Sequence, residues 1–186
     1  MTARRPVALL VAALWPGVAR VDAPGERYAA SATGAVLKEA DARELHYFDE
    51  RDGRVFLHPS SQLFHATQFK SNYVSVFAKS ASGASGKTYI REVSEAPLYG
   101  LLLFGGPLHV EHDIGGITVS TGTAPSADAW IKLRASPRIG VLCRQLRTLL
   151  DGVLEGGIAD PRTLRDAASE GVVAAIAAVL VRDGAD

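Results

Sequence analysis

The sequence has 186 residues, a formal net charge of zero and an apolar content of 47%. This length allows one domain, or one domain with a small addition, and the composition supplies enough apolar residues for a core. The neutral total excludes an overall basic signature for nucleic-acid binding, and a single cysteine, Cys143, excludes an internal disulfide framework. That cysteine takes an apolar position in a helical pattern, so we expect a buried, unreactive thiol.

The N-terminal segment supports two interpretations. Two arginines, an apolar run and the small residues Ala19 and Ala23 are typical of a secretory signal. The same segment also predicts a short buried helix over residues 6–14, which ends before Pro16 and Gly17. No apolar run in the sequence is long enough to span a bilayer, so we expect no membrane partner.

Short strands are expected through the next part of the chain. The patterns predict strands at 18–21 and 54–58, a weak strand pair or a loop at 26–40, and an acid-rich surface segment at 39–53. Residues 62–71 are ambiguous between these structures. Residues 97–106 begin with proline and end with Gly-Gly, which predicts one short buried helix.

The Gly-Lys-Thr run at residues 86–88 raises the question of a nucleotide-binding loop. Such a loop requires Gly-x4-Gly-Lys-[Ser/Thr], but Ala81 stands where the first glycine must be. The run also leads into an alternating, β-favouring stretch, whereas a phosphate loop leads into a helix. The segment therefore predicts a hairpin, in which strands 72–79 and 89–93 are joined by a turn rich in serine and glycine.

The C-terminal part of the sequence changes from strand patterns to helix patterns. Residues 108–113, 116–122 and 129–135 are strand-like, and a helix then begins at Ser136-Pro137 and ends at Gly156-Gly157. A second helix is predicted from Asp160-Pro161. Its apolar face contains Val172, Ile176, Val179 and Leu180. The predicted fold class is mainly β with α, a small β-barrel followed by C-terminal helices.

Charge is unevenly distributed along the sequence. No acidic residue occurs between Gly53 and Arg91, whereas residues 39–52 hold six acids and two arginines. The cations of the acid-free segment could neutralise phosphates, and its aromatic side chains could stack on bases. The alternative is that these cations lie on an ordinary solvated face and that the aromatic side chains pack in the core.

The sequence gives little support for catalysis. His109 and His112 in "HVEH" are three residues apart, whereas two metal ligands on one face of a strand require an even spacing. No serine lies in a Gly-x-Ser-x-Gly motif, and Cys143 has no base near it in sequence. We therefore expect no catalytic residue and no metal site in this chain.

Four segments resemble, in order and spacing, the C-terminal OB-fold region of DEAH-type RNA helicases, in the branch with RNA helicase A-like C-termini. They are "ALWPGVARV", "LHPSS", "KTYIREVSEAPLYGLLLFGG" and "AWIKLRASPRIGVLCRQLRTLLDGVL", and the resemblance covers nearly all of residues 7–155. Trp15 and Gly17 depart from the Leu-Tyr and Asn that are more usual in the family. The resemblance favours the N-terminal helix over the secretory signal. It implies an OB-fold domain over residues 1–135 and a helical extension over residues 136–186.

The resemblance also carries expectations about function. In such helicases the ATPase machinery lies in two upstream RecA-like domains, and none of their motifs occurs in this sequence. It implies a fragment or isolated domain that is not itself an enzyme and has no cofactor, while the helicase core binds ATP and Mg. The implied partners are single-stranded RNA and the upstream core domains, in an intracellular compartment that the resemblance does not specify. The alternative is a protein-docking module that recruits a protein adaptor or the core through the OB fold and the C-terminal helix.

The family's RNA-binding role is implied for eight residues of this sequence. They are a pair at the end of a strand, a phosphate-facing group on the hairpin, one stacking aromatic side chain and two further cations. In that order they are His58 and Ser60; Lys79, Thr88 and Arg91; Tyr89; and Lys87 and Arg54. For Tyr89 a position in the core is an equal alternative.

Overall fold

The computed structural model describes residues 4–24, 27–31, 34–38, 42–83, 86–112, 115–121 and 130–182, and it divides the chain into two compact units. One unit is Gly17–Ala96, and the other combines Met1–Pro16 with Pro97–Asp186. This division differs from the predicted one between residues 135 and 136. The C-terminal helices belong to the same unit as the N-terminal helix, because their apolar side chains pack together with it.

The first unit contains seven strands: β1 (Val18–Asp22), β2 (Arg27–Ser31), β3 (Gly34–Lys38), β4 (His46–Asp49), β5 (Gly53–Leu57), β6 (Tyr73–Ala81) and β7 (Thr88–Glu95). Five of them form a closed barrel with the strand order β1-β4-β5-β7-β6. The pairing of β5 with β7 is parallel, and the other four pairings are antiparallel. A separate two-stranded ribbon, β2 with β3, lies between β1 and β4 in sequence.

The barrel core follows from the alternation of side chains along its strands. On β5, Val55 and Leu57 are buried, while the alternate residues Arg54 and Phe56 point outward. Val74 of β6 and Ile90 of β7 are fully buried in the same cluster. Each such aliphatic side chain stabilises the fold by about 1.5–3 kcal/mol relative to an exposed one.

The predicted barrel is confirmed, with one strand that the sequence pattern had concealed. Residues 39–53 were expected to form an acid-rich surface segment, but the structure places strand β4 at His46–Asp49, with Tyr47 and Asp49 buried. The ambiguous residues 62–71 contain a short 3-10 helix at Gln62–His65. Of the two alternatives for residues 26–40, the structure has the strand pair β2 and β3.

The second unit combines helices with a small sheet. Its elements are α1 (Arg4–Leu14), α2 (Leu98–Phe104), β8 (Leu108–Glu111), β9 (Gly116–Val119), β10 (Ile131–Leu133), α3 (Pro137–Ala159) and α4 (Ala167–Arg182). The three-stranded sheet has the order β10-β9-β8 and is antiparallel throughout. One apolar cluster joins Ala8 of α1 with Leu103, Ile176 and Leu180.

The Gly105-Gly106 pair after α2 is required by close packing. A Cβ atom on Gly106 would overlap the carbonyl oxygen of Ser120 and lie 2.9 Å from the Trp15 ring. Arg147 of α3 stabilises the same corner, because its guanidinium donates hydrogen bonds of 2.7 Å to the carbonyl oxygens of both glycines. The Gly-Gly that ends the predicted helix is therefore a point of contact between chain segments as well as a helix stop.

The second Gly-Gly pair does not end its helix, so that prediction was wrong. Helix α3 continues to Ala159, and Gly157 within it makes room for a neighbouring segment. A Cβ atom there would lie 2.5 Å from a methyl carbon of Leu164, in the 3-10 helix Pro161–Arg165. This 3-10 helix comes first, and the α-helix predicted from residue 160 begins only at Ala167.

Two expectations about this unit concern Cys143 and bilayer-spanning segments. Cys143 is buried as expected, and burial raises the pKa of its thiol. In the described part of the chain, none of the helices combines the length and the apolar character that crossing a bilayer requires.

Candidate nucleic-acid interface

Strands β5 and β7 run side by side in parallel and carry a regular pattern of side chains on their outer face. Phe56 is paired with Tyr89, and the inward-facing Leu57 is paired with Ile90. Extending this register by two residues in each direction places Arg54 beside Lys87 and His58 beside Arg91. The pairing does continue at His58, because its backbone N–H donates to the carbonyl oxygen of Ile90 at 3.0 Å. We call this surface the β5–β7 face.

Phe56 is the centre of the β5–β7 face. The guanidinium carbon of Arg54 lies 5.3 Å from the centroid of the Phe56 ring, and Lys87 Nζ lies 4.9 Å from it. These distances are those of cation–π contacts, which are worth about 0.5–1 kcal/mol at exposed sites. Phe56 therefore holds two positive charges close together on the outside of the barrel. It was not among the eight residues predicted to bind RNA.

Tyr89 connects the aromatic centre to the end of strand β5. Its ring centroid lies 6.1 Å from that of Phe56 and 6.0 Å from that of His58. His58 Nδ1 is 2.7 Å from Ser60 Oγ and accepts a hydrogen bond from the Ser60 backbone N–H at 3.1 Å. An N–H can only donate, so the neutral imidazole carries its hydrogen on Nε2. The contacts of Nδ1 fix the orientation of the ring, and the Nε2–H is then a hydrogen-bond donor with a fixed direction.

The cations of the β5–β7 face are exposed. Arg54, Lys87 and Arg91 all have exposed side chains. None of the three forms an ion pair with an acidic residue in the described ranges. The positive charge of this face is therefore not neutralised by described acidic groups.

Lys79 lies elsewhere and has two acidic partners. It is paired across the strands with the fully buried Ile90, so the two side chains share the inward-facing side of the sheet. Lys79 Nζ is 2.5 Å from Asp49 Oδ2 and 3.3 Å from Asp52 Oδ2. The structure thus separates Lys79 from the other predicted cations and gives it a role in holding β6 against the β4–β5 turn.

The Asp49 carboxylate is an organised acceptor. Burial raises its pKa, but the hydrogen bond from Lys79 and the backbone N–H groups of Arg51 and Asp52 lower it, and the net result is a pKa below the ordinary value of 3.8. The ionised form of Asp49 is therefore the stable one in the folded barrel, where it fixes both the turn and the lysine.

Thr88 is also apart from the face, whereas five predicted residues are brought together. Thr88 is half-buried and, by alternation with Tyr89, points to the same side as Ile90. Arg91 lies on the outer side at the far end of the face. Cation–π contacts, ring contacts and a hydrogen bond connect the other five predicted residues to one another through Phe56. These residues are Arg54, Lys87, Tyr89, His58 and Ser60.

The apolar face expected to dock a partner is largely used within its own unit. Ile176 and Leu180 are buried in the cluster with Ala8 and Leu103, and Val172 and Val179 pack against it. Other apolar residues are exposed instead: the side chain of Ile158, near the end of α3, is 85% exposed. No group of histidine, cysteine or acidic residues within the described ranges could hold a metal ion.

Two family models match most of the chain. Residues 7–108 match a family described as oligonucleotide/oligosaccharide-binding (OB)-fold, and residues 126–182 match one described as the C-terminal domain in RNA helicases. The first match contains the whole barrel, and its five-stranded closed topology agrees with that description.

Similar proteins bear the names of helicases. A Mycosarcoma maydis protein named as a DEAH-box ATP-dependent helicase is 46% identical over 182 residues, which cover 95% of this chain and 12% of that protein. Human DHX57, named as an ATP-dependent RNA helicase, is 33% identical over 83% of this chain and 11% of its own length. Human DHX36, named as an ATP-dependent DNA/RNA helicase, is 29% identical over 61% of this chain and 10% of its own length. The chain thus spans about a tenth of the length of these relatives.

Proposed function

This chain belongs to the OB-fold family that forms the C-terminal region of DEAH-box RNA helicases, and we propose that its β5–β7 face binds single-stranded RNA. The observation that carries the proposal is the cluster around Phe56, where two exposed cations, a second aromatic ring and an oriented imidazole share one surface. Each group matches one chemical feature of a nucleic-acid strand.

The cations supply affinity for the sugar-phosphate backbone. Lys87, Arg54 and Arg91 are exposed, so their charges are available to phosphates without breaking an ion pair to a described acid. Each phosphate that they neutralise releases counterions, which favours binding at low salt. The His58 Nε2–H and the Ser60 hydroxyl add uncharged donors at the end of the same face.

Stacking supplies the selectivity for unpaired bases. Tyr89 is half-buried at the outer surface, so one part of its ring stays accessible to a base. The Arg54 guanidinium is a second planar surface on which a base can stack. Stacking requires a base that is not already covered by its neighbours in a duplex, so we expect single strands to bind more tightly than duplexes.

We further propose that this chain has an auxiliary role and is not itself catalytic. The relatives are named as ATP-dependent helicases, and the regions of those proteins outside the match make up most of their length. ATP and Mg are accordingly assigned to the helicase core. The proposed contribution of this chain is to hold the strand while the core acts on it.

Fluorescence anisotropy with a labelled single-stranded oligoribonucleotide at low salt tests the binding proposal. The variant Lys87→Gln/Arg91→Gln removes two face cations, and we expect its affinity to fall about tenfold. The matched control is Arg162→Gln/Arg165→Gln, which removes two exposed cations from the 3-10 helix of the other unit. Equal affinities for the two variants, or no measurable binding by the unmodified chain, would refute the proposal.

A second function, docking onto another protein domain, rests on the exposed end of helix α3. Leu154 and Ile158 have side chains that are 51% and 85% exposed. The proposed partner is the helicase core, because the matched region is only about a tenth of relatives that are named as ATP-dependent helicases. The variant Leu154→Asp/Ile158→Asp should lose binding to a separately produced core while its RNA affinity stays unchanged. Retained core binding would exclude this surface.

A further inference from the structure

A cleft of about 310 Å³ opens beside the β5–β7 face, within the barrel unit. Its walls come from β4, β5 and the two short 3-10 helices at Ala42–Glu44 and Gln62–His65. The cleft shares Arg54 and Phe56 with the β5–β7 face. A strand that lies on the face therefore passes the mouth of the cleft.

The lining of the cleft divides into an apolar interior and a basic rim. The apolar part contains buried residues of β4 and β5 together with two half-buried aromatic residues, Phe56 on the outside of the barrel and Phe64 packed against its core. The exposed side chains at the rim are all basic or imidazole groups. They are Arg43, His46, Arg54 and His65, and no carboxylate side chain is among the described residues that line the cleft.

We propose that this cleft accepts one nucleotide unit, with the base against its apolar and aromatic side chains and the phosphate held at the rim. Apolar and aromatic side chains match the faces of a base, whereas the basic rim matches a phosphate. Binding of that unit as part of a strand rests on the proposed function of the β5–β7 face. The same chemistry also fits a free nucleotide, so the tests below separate the two sources.

The chemistry of the rim argues against other small ligands. An acidic rim or a set of carboxylates would favour cations, and a wholly apolar lining would favour a hydrocarbon chain. This lining combines three aromatic rings with two guanidinium groups, which suits a planar aromatic ligand that carries negative charge. A nucleotide has both features in one molecule.

The first experiment uses adenosine 5′-monophosphate as the probe and follows backbone amides of the full chain by NMR. We expect saturable shifts at Leu45, His46, Phe64 and His65, and smaller shifts with adenosine or inorganic phosphate alone. The variant Arg43→Gln/His65→Ala changes two exposed rim residues, so the barrel should stay folded while these shifts are lost. A titration without shifts at these amides would overturn the proposal.

The second experiment places an abasic site at each position of a single-stranded oligoribonucleotide in turn. At the position that occupies the cleft, the abasic site should weaken binding to the unmodified chain about tenfold. That cost should persist in Lys87→Gln, which changes only the face, and disappear in Arg43→Gln/His65→Ala. If each abasic site weakens binding to Arg43→Gln/His65→Ala as much as it weakens binding to the unmodified chain, the cleft does not bind the strand.

The two proposals fail in different ways. If strand binding depends on Lys87 but the nucleotide titration leaves the cleft amides unchanged, the cleft proposal is wrong and the proposal for the face is retained. Absence of any strand affinity would remove the function proposed for the face. The titration with adenosine 5′-monophosphate would then decide whether the cleft is a site for a free nucleotide.

Discussion

Replacing Lys79 with alanine should destabilise the barrel and leave RNA binding intact. The resemblance to helicases placed Lys79 among the phosphate contacts, whereas its ammonium group is paired with Asp49 and Asp52. Lys79→Ala removes a partner from a carboxylate whose side chain is only 5% exposed. The buried charge is then left with two backbone N–H donors alone.

The size of the effect follows from the exposure of the pair. Breaking a fully buried ion pair costs about 3–5 kcal/mol, and breaking an exposed one costs less than about 1 kcal/mol. The Lys79 side chain is 33% exposed and that of Asp49 is nearly buried, so we expect a loss of about 2 kcal/mol. With a urea dependence of about 2 kcal/mol/M, the unfolding midpoint falls by about 1 M.

The assay must report on the barrel alone. Both tryptophans, Trp15 and Trp130, lie in the other unit, so their fluorescence does not follow the barrel. Urea unfolding should be followed instead through NMR signals of barrel amides. Lys87→Gln is the matched control, because it removes an exposed cation whose contact with Phe56 is worth only about 0.5–1 kcal/mol, at most half of the loss expected for Lys79→Ala.

The two lysine variants should therefore show different results. Lys79→Ala should lower the urea midpoint and keep the RNA affinity measured under folding conditions. Lys87→Gln should lower the midpoint by at most half as much and should weaken RNA binding. If Lys79→Ala leaves the midpoint unchanged but weakens RNA binding, the structural role assigned to the ion pair is wrong.

Three further outcomes are expected. Gly106→Ala should destabilise the helical unit by about 3 kcal/mol or more in thermal unfolding, since its Cβ overlaps a carbonyl oxygen; Gly152→Ala, with open space around it, should stabilise α3 by about 0.5–1 kcal/mol, and equal effects would contradict the packing account. Cys143 should react with iodoacetamide only as fast as its unit opens, because the buried thiol is inaccessible to the reagent and burial also raises its pKa; rapid labelling of the native chain would be inconsistent with this. The pKa of Asp49 is lowered on folding, so its stabilisation is present above the unfolded pKa and is lost as pH falls below about 4 through the folded pKa. For Asp49→Asn, the free energy of unfolding should fall less steeply as the pH is lowered. An unchanged dependence on pH in the acid range would show that this carboxylate is not involved.

The strands of the barrel could be predicted where alternation was clear, and β4 shows why one strand was missed. Its alternating residues, His46–Asp49, lie inside a segment with six acids, and acidic residues usually indicate exposed structure. Asp49 is an exception because Lys79 and two backbone N–H groups compensate its burial. A partner 30 residues away cannot be read from local sequence.

The candidate site was predicted in part for a similar reason. The outward position of Phe56 follows from its alternation with Val55 and Leu57, so this signal was available in the sequence. Its central role was not, since it depends on the parallel register that brings Lys87 beside Arg54. The antiparallel register of β6 with β7, which pairs Lys79 with the inward-facing Ile90, separates Lys79 from the cations with which it was grouped.

The salt dependence of RNA binding tests the β5–β7 face most directly, because it counts phosphate contacts. The slope of the logarithm of the association constant against the logarithm of salt concentration changes by about 0.7 for each cation that contacts a single strand. We expect the slope for Lys87→Gln/Arg91→Gln to be shallower than that of the unmodified chain by about 1.4, and the slope for Arg162→Gln/Arg165→Gln to be unchanged. An unchanged slope for the face variant would contradict the assignment of this surface to the RNA backbone.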